Sequence, residues 1–233
     1  MKSMLQRGEQ AFAWLLDYLY AGAWQLRALL PSKLAKQLPT SSDAQVEQIV
    51  LVPGIWESWQ FMLPLARDLH QAGHRVHVVP ALGYNRGTVP AMSEVVAQYL
   101  AKADLQEVVL VAHSKGGLIG KHLMAASTQG YRVNRMIAIS TPFSGSSYAR
   151  YAPIRSLRAL SPNDTGVLKL AANLSVNARI ISIFSRFDPH IPGGSELAGA
   201  TNIKLETMGH FRLLNDQRLK QAVCEHLSST GPA

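Results

Sequence analysis

The chain is poor in the features that mark several large protein classes. It has a single cysteine, Cys224, in 233 residues. One thiol excludes an intramolecular disulfide framework and any cysteine-rich metal site. No apolar run of transmembrane length is free of charge near the N-terminus, because Asp17 and Arg27 interrupt it. Charged residues make up only 16% and carry a net +8, yet no dense Lys/Arg run interleaved with aromatics is present. The excess charge therefore does not read as a nucleic-acid surface, and an anionic lipid surface suits it better. No long low-complexity segment occurs. Hydrophobic residues reach 47%, enough for one α/β domain with a sizeable core.

Residues 2–30 carry a helical pattern ahead of the core. Met4, Leu5, Phe12, Leu15, Leu16 and Leu19, then Ala23, Leu26, Leu29 and Leu30, recur at three- and four-residue spacing on one broad face. Lys2, Gln6, Glu9, Gln10, Asp17 and Arg27 fall on the other, and Trp14, Tyr18, Tyr20 and Trp24 lie near the borders. Pro31 ends the pattern. Lys2, Arg7 and Ala21-Gly22-Ala23 have the outline of a secretory signal, but Asp17 within the run and the amphipathic pattern argue against one. The expectation is a cytoplasmic protein, with two roles open for the helix. One is peripheral contact with the inner membrane face. The other is packing on its own domain or on a second subunit. Residues 36–47 read as a polar linker, dividing a helical segment 1–40 from a domain over 41–233.

Six apolar runs follow: Gln48–Pro53, Arg75–Pro80, Glu107–Ala112, Arg135–Ser140, Arg179–Phe184 and Asn202–Thr207. Helical patterns separate most of them, at Trp59–Gln71, Met92–Ala103, Gly117–Thr128 and Arg212–Leu227. This alternation predicts an α/β fold with a doubly wound, mostly parallel sheet and helices on both faces. Ligands in such sheets bind beyond the carboxyl ends of the strands. The longest interval, 143–178, holds Tyr148, Tyr151 and several arginines and is either a cap over the site or a solvated helical excursion.

The most informative segment is Val108–Gly120. A buried strand runs into Ala112-His113-Ser114-Lys115-Gly116, and a helix begins at once. Small residues two before and two after Ser114 let strand and helix pass closely, so the hydroxyl projects from the sheet edge. The segment resembles the nucleophile elbow of the α/β-hydrolase family, in its lipase and esterase branch, and is similar to small bacterial lipases with Ala in the first position. The resemblance covers about residues 48–227. Ser140-Thr141-Pro142-Phe143-Ser144-Gly145 is similar to a further segment of many lipases.

The resemblance implies a serine hydrolase of carboxylic esters acting through an acyl-enzyme, with no cofactor and no metal. In the family's order of nucleophile, acid and base, Ser114 is followed by Asp188, in Phe187-Asp188-Pro189-His190-Ile191-Pro192, and by His210, in Met208-Gly209-His210-Phe211. The oxyanion donors would be the backbone N–H groups of Lys115 and Ile55. Trp56, Leu82, Tyr84 and Phe143 follow strand ends and are candidates to line the acyl pocket. A small-molecule or lipid ester is the implied substrate. Thioesterase, amidase and acyltransferase chemistry use the same triad, and a non-catalytic membrane-associated binding protein is the rival outside catalysis. His113 reads as a packing or hydrogen-bonding residue, and Asp164 and Glu196 as lesser substitutes for Asp188.

Overall fold

The computed structural model describes residues 4–28 and 46–228. The predicted end of the N-terminal helix at Pro31 and most of the 36–47 linker lie outside these residues. Helix α1 spans Met4–Ala28. The strands are β1 (Gln48–Val52), β2 (Arg75–Val78), β3 (Val108–His113), β4 (Val133–Ile139), β5 (Ile180–Phe187) and β6 (Thr201–Met208). Each lies within a few residues of the run that predicted it. The helices are α2 (Leu63–Gln71), α3 (Val89–Lys102), α4 (Lys115–Ala126), α5 (Arg155–Arg158), α6 (Thr165–Ala172) and α7 (Gln217–Ser228).

All six strands are parallel, in the order β2-β1-β3-β4-β5-β6. β3 sits near the centre and is buried along its whole length, which is why its run has no polar alternation. Successive residues point to opposite faces and feed two cores. Val108, Leu110 and Ala112 join α3 and α4 on one side. Val109 and Val111 join α2 and α7 on the other. β6 is the exposed edge, carrying Lys204 and Glu206, charges that discourage further strand pairing.

Helix α1 lies on the second side, with Ala21 and Trp24 against that core. Of the two faces that the sequence pattern gives, the one with Asp17 turns inward: Asp17 is 0% exposed, while Phe12 and Leu26 from the apolar face are 61% and 69% exposed. Ala13 is buried beside Asp17. The small side chain at 13 permits close approach, and hydrogen bonds to Asp17 replace the water it loses. Among the described residues, no helix is long and apolar enough to cross a membrane.

Within 143–178 the chain forms a short 3-10 turn, α5 and α6. Asp164 caps α6 by accepting from the Gly166 and Val167 N–H groups, so its carboxylate has a structural task.

Candidate active site

The strand-to-helix turn puts Ser114 at φ 51°, ψ −122°, a left-handed backbone conformation that side chains rarely adopt. Its N–H donates to the Ile139 carbonyl at 2.8 Å, tying the turn to β4. The close pass behind it depends on Gly116, where a Cβ would lie 2.1 Å from the Val52 carbonyl oxygen. Lys115 opens α4, so its N–H has no intrahelical acceptor.

His210 follows β6 through Gly209, which takes φ 122°. Its Nδ1–H donates to Asp188 Oδ2 at 2.7 Å, which leaves Nε2 as the ring nitrogen with a lone pair. Asp188 follows β5, and its other oxygen accepts from the His190 and Ile191 N–H groups at 2.8 and 3.0 Å. Burial pushes the Asp188 carboxyl up, but His210 and the His190 N–H outweigh it and hold the group below its ordinary range. For His210, burial favours the neutral ring. The Asp188 charge and hydrogen bond, with Glu57 and Asp17 beyond, reverse that and raise its pKa. Ser114 and His210 are 6% and 3% exposed.

The Ser114 turn and the His210 loop are joined by His113, whose Nε2 lies 3.2 Å from the His210 carbonyl oxygen. A carbonyl only accepts, so Nε2 carries a hydrogen. His113 Nδ1 meets Glu57 Oε2 at 2.9 Å, and the same oxygen accepts from the Gly54 N–H at 2.7 Å. On the loop after β1, the Gly54 N–H is thus held by Glu57 and the Trp56 N–H by the Tyr84 carbonyl. Ile55 lies between them. Asn85 Nδ2 donates to the Pro53 carbonyl at 2.7 Å, and Lys115 Nζ donates to the Asn85 carbonyl at 2.8 Å. Burial lowers the Lys115 pKa to about 8.

The pocket candidates divide. Trp56 and Tyr84 flank the Arg86 guanidinium, 4.4 and 5.3 Å from it. Leu82 and Phe143 are buried in the core on the α3–α4 side. A separate, largely apolar cavity of about 480 Å³ lies under α6, lined by Lys115, Leu118, Leu160, Val167 and Leu170 among others.

Sequence reasoning missed Glu57 and the inward role of Asp17. Asp17 alone left a signal, a carboxylate in an apolar run. Nothing in the local pattern around Glu57 marks it. The His190 ring packs on that of His210, with centroids 5.0 Å apart. Burial, together with the His210 and His113 rings, lowers its pKa to about 4, so it is neutral at pH 7.

The sequence profile of the alpha/beta hydrolase family matches residues 49–222. Among solved structures, Aspergillus fumigatus lipase B is similar with TM-score 0.68 and 19% identity, over 87% of this chain and 59% of that one. The mature Bacillus licheniformis lipase BlEst2 gives 0.60 and 16%, over 81% and 94% of the two chains. The enol-lactonase of Burkholderia xenovorans LB400 gives 0.57 and 14%, over 81% and 94%. At these identities the likeness concerns the fold. No curated protein sequence matches the chain.

Proposed function

The chain belongs to the alpha/beta hydrolase family, and on that premise we propose that it is a serine hydrolase of carboxylic esters. Ser114 Oγ attacks the ester carbonyl while His210 Nε2 takes its proton. Asp188 holds the ring in the needed tautomer through the 2.7 Å bond to Nδ1 and favours the imidazolium that forms. The N–H groups of Lys115 and Ile55 stabilise the oxyanion. His210 then protonates the departing alcohol, and water, deprotonated by the same ring, releases the acid from the acyl-enzyme.

The observation that carries this reading is the conjunction of a strained Ser114 with a buried Asp188–His210 pair reached from separate strand ends. A binding protein has no need of both. The cavity under α6 falls within the size range of small-molecule sites, and its apolar lining suits an acyl chain. Lys115, next to Ser114 in the chain, contributes to both that cavity and the elbow. Lipase and lactonase are names of structural neighbours, and they support an acyl substrate over other hydrolysable groups. The outward apolar face of α1, with Phe12, Leu15, Leu19 and Leu26, supports peripheral contact with a membrane that supplies a lipid ester.

A fluorophosphonate probe should label the wild type and not Ser114→Ala, with both folded by circular dichroism. A p-nitrophenyl ester series then defines acyl length. Labelling that persists in Ser114→Ala would remove this mechanism.

A further inference from the structure

We propose that Asp17 is a positioning residue for His210, so that docking of α1 completes the active site; this rests on the function proposed above. Asp17 is fully buried in the middle of α1. A buried carboxylate is tolerated only where donors replace its water. Among the described residues, its three hydrogen bonds come from the loop that carries His210. Oδ2 accepts from the His210 N–H at 3.0 Å, and Oδ1 accepts from Phe211 at 2.8 Å and Arg212 at 2.9 Å. The carboxylate caps the short helical turn Arg212–Asn215 from a different element, nearly two hundred residues earlier in the sequence.

The loop is shaped around this group. At Gly209 a Cβ would lie 2.7 Å from Asp17 Oδ1. Two turns further along α1, on the same face, Gln25 Nε2 donates to the Trp56 carbonyl at 2.6 Å. One helix therefore grips the base loop and the oxyanion loop together. Asp17 precedes the segment 49–222 that matches the family, so this clamp is an addition to the matched fold.

Two consequences follow for His210. Its backbone is held, which fixes where Nε2 points. Its imidazolium also gains a third carboxylate. The groups facing the ring are Asp188 from the loop after β5, Glu57 from the loop after β1, Asp17 from α1, and the rings of His113 and His190. His190 Nε2 lies 3.9 Å from Asp17 Oδ2, and its neutrality at pH 7 leaves Asp17 without an opposing charge there.

The test compares full-length wild type, Asp17→Asn, Asp17→Ala and Val96→Ala on a soluble p-nitrophenyl ester, with melting curves for each. Asn keeps the acceptor for Phe211 and Arg212 and loses the charge and the acceptor for His210. A misplaced catalytic group costs about 10²-fold. Asp17→Asn should lower kcat by about tenfold to a hundredfold with KM within about twofold, and Asp17→Ala should lower it further. The acid limb of the kcat/KM profile should move to lower pH in Asp17→Asn. Val96→Ala, in the α3 core, should melt earlier with kcat and acid limb unchanged. Wild-type kcat in folded Asp17→Asn, or an unmoved acid limb with activity tracking melting alone, would overturn the proposal. Should wild type fail to react with the fluorophosphonate, the hydrolase function falls separately. The His210 ring titration by NMR then decides positioning: a midpoint lowered in Asp17→Asn supports it, and an equal midpoint overturns it.

Discussion

Glu57 Oε2 lies 2.9 Å from His113 Nδ1 and 2.7 Å from the Gly54 nitrogen, so one buried carboxylate joins the loop after β1 to the turn that carries Ser114. The His113 ring in turn sits 4.9 Å from that of His210, centroid to centroid. A second histidine–carboxylate pair thus lies behind the Asp188–His210 pair and supports it. Removing Glu57 leaves His113 Nδ1 and the Gly54 N–H buried without that partner, which costs about 1–3 kcal/mol per group. Glu57→Ala should lose stability on that scale in urea unfolding and lose turnover as well. A loss within experimental error would mean that the pair is not structural.

The pH dependence has a definite sign. In the proposed mechanism His210 must be neutral to take the Ser114 proton, and its pKa is raised above 6.5. The acid limb of kcat/KM should therefore have its midpoint above 6.5. For stability, the His210 contribution is full below 6.5 and is lost as pH rises through its folded pKa. The Asp188 contribution is full above 3.8 and is lost as pH falls through its lowered folded pKa. The pair stabilises the fold most between those values. An acid limb centred below 6 would contradict the arrangement.

Gly116 and Gly22 predict opposite outcomes for the same substitution. A Cβ at Gly116 meets the β1 backbone at 2.1 Å, which cannot be relieved without separating α4 from the sheet. Gly116→Ala should cost about 3 kcal/mol or more, at or beyond the upper end of what overpacked cores typically cost. At Gly22, in exposed α1, a Cβ meets nothing within 4 Å. Gly22→Ala should stabilise by about 0.5–1 kcal/mol through helix propensity. Thermal melts of the two variants check both signs.

Lys121 is 0% exposed, and its Nζ has no hydrogen-bond partner among the described residues. The Phe143 ring, 5.9 Å away, is a weak substitute. Burial lowers its pKa to about 8 from 10.5. The folded state therefore disfavours the charged amine, and the penalty is full below 8 and relieved as pH rises towards 10.5. Lys121→Met should stabilise by about 1–3 kcal/mol at pH 7. That advantage should shrink above pH 9, as measured by unfolding at both values. A destabilised variant would mean that the amine has a role of its own.

The strand ladder was legible because buried parallel strands have to be continuous apolar runs, and β3 is one. The resemblance to the family supplied Ser114, Asp188 and His210 as candidates, and each follows a recognisable strand: β3, β5 and β6. The pocket was not legible. Leu82 and Phe143 follow strand ends as Trp56 and Tyr84 do, yet they turn into the core. Residue type and spacing do not say which way a loop side chain points.

Helix α1 marks the boundary between the two kinds of information. Its periodicity established that a helix forms and which residues share each face. Its polarity in space followed another rule. The broad apolar face turns outward because the three N–H groups of the His210 loop need a buried acceptor, and Asp17 sits on the opposite face. Local sequence determines what depends on neighbours in the chain: strand, turn, helix and the strained elbow at Ser114. Tertiary structure alone decides which distant donors a buried carboxylate must satisfy, because those donors exist only once β6 has ended beside α1.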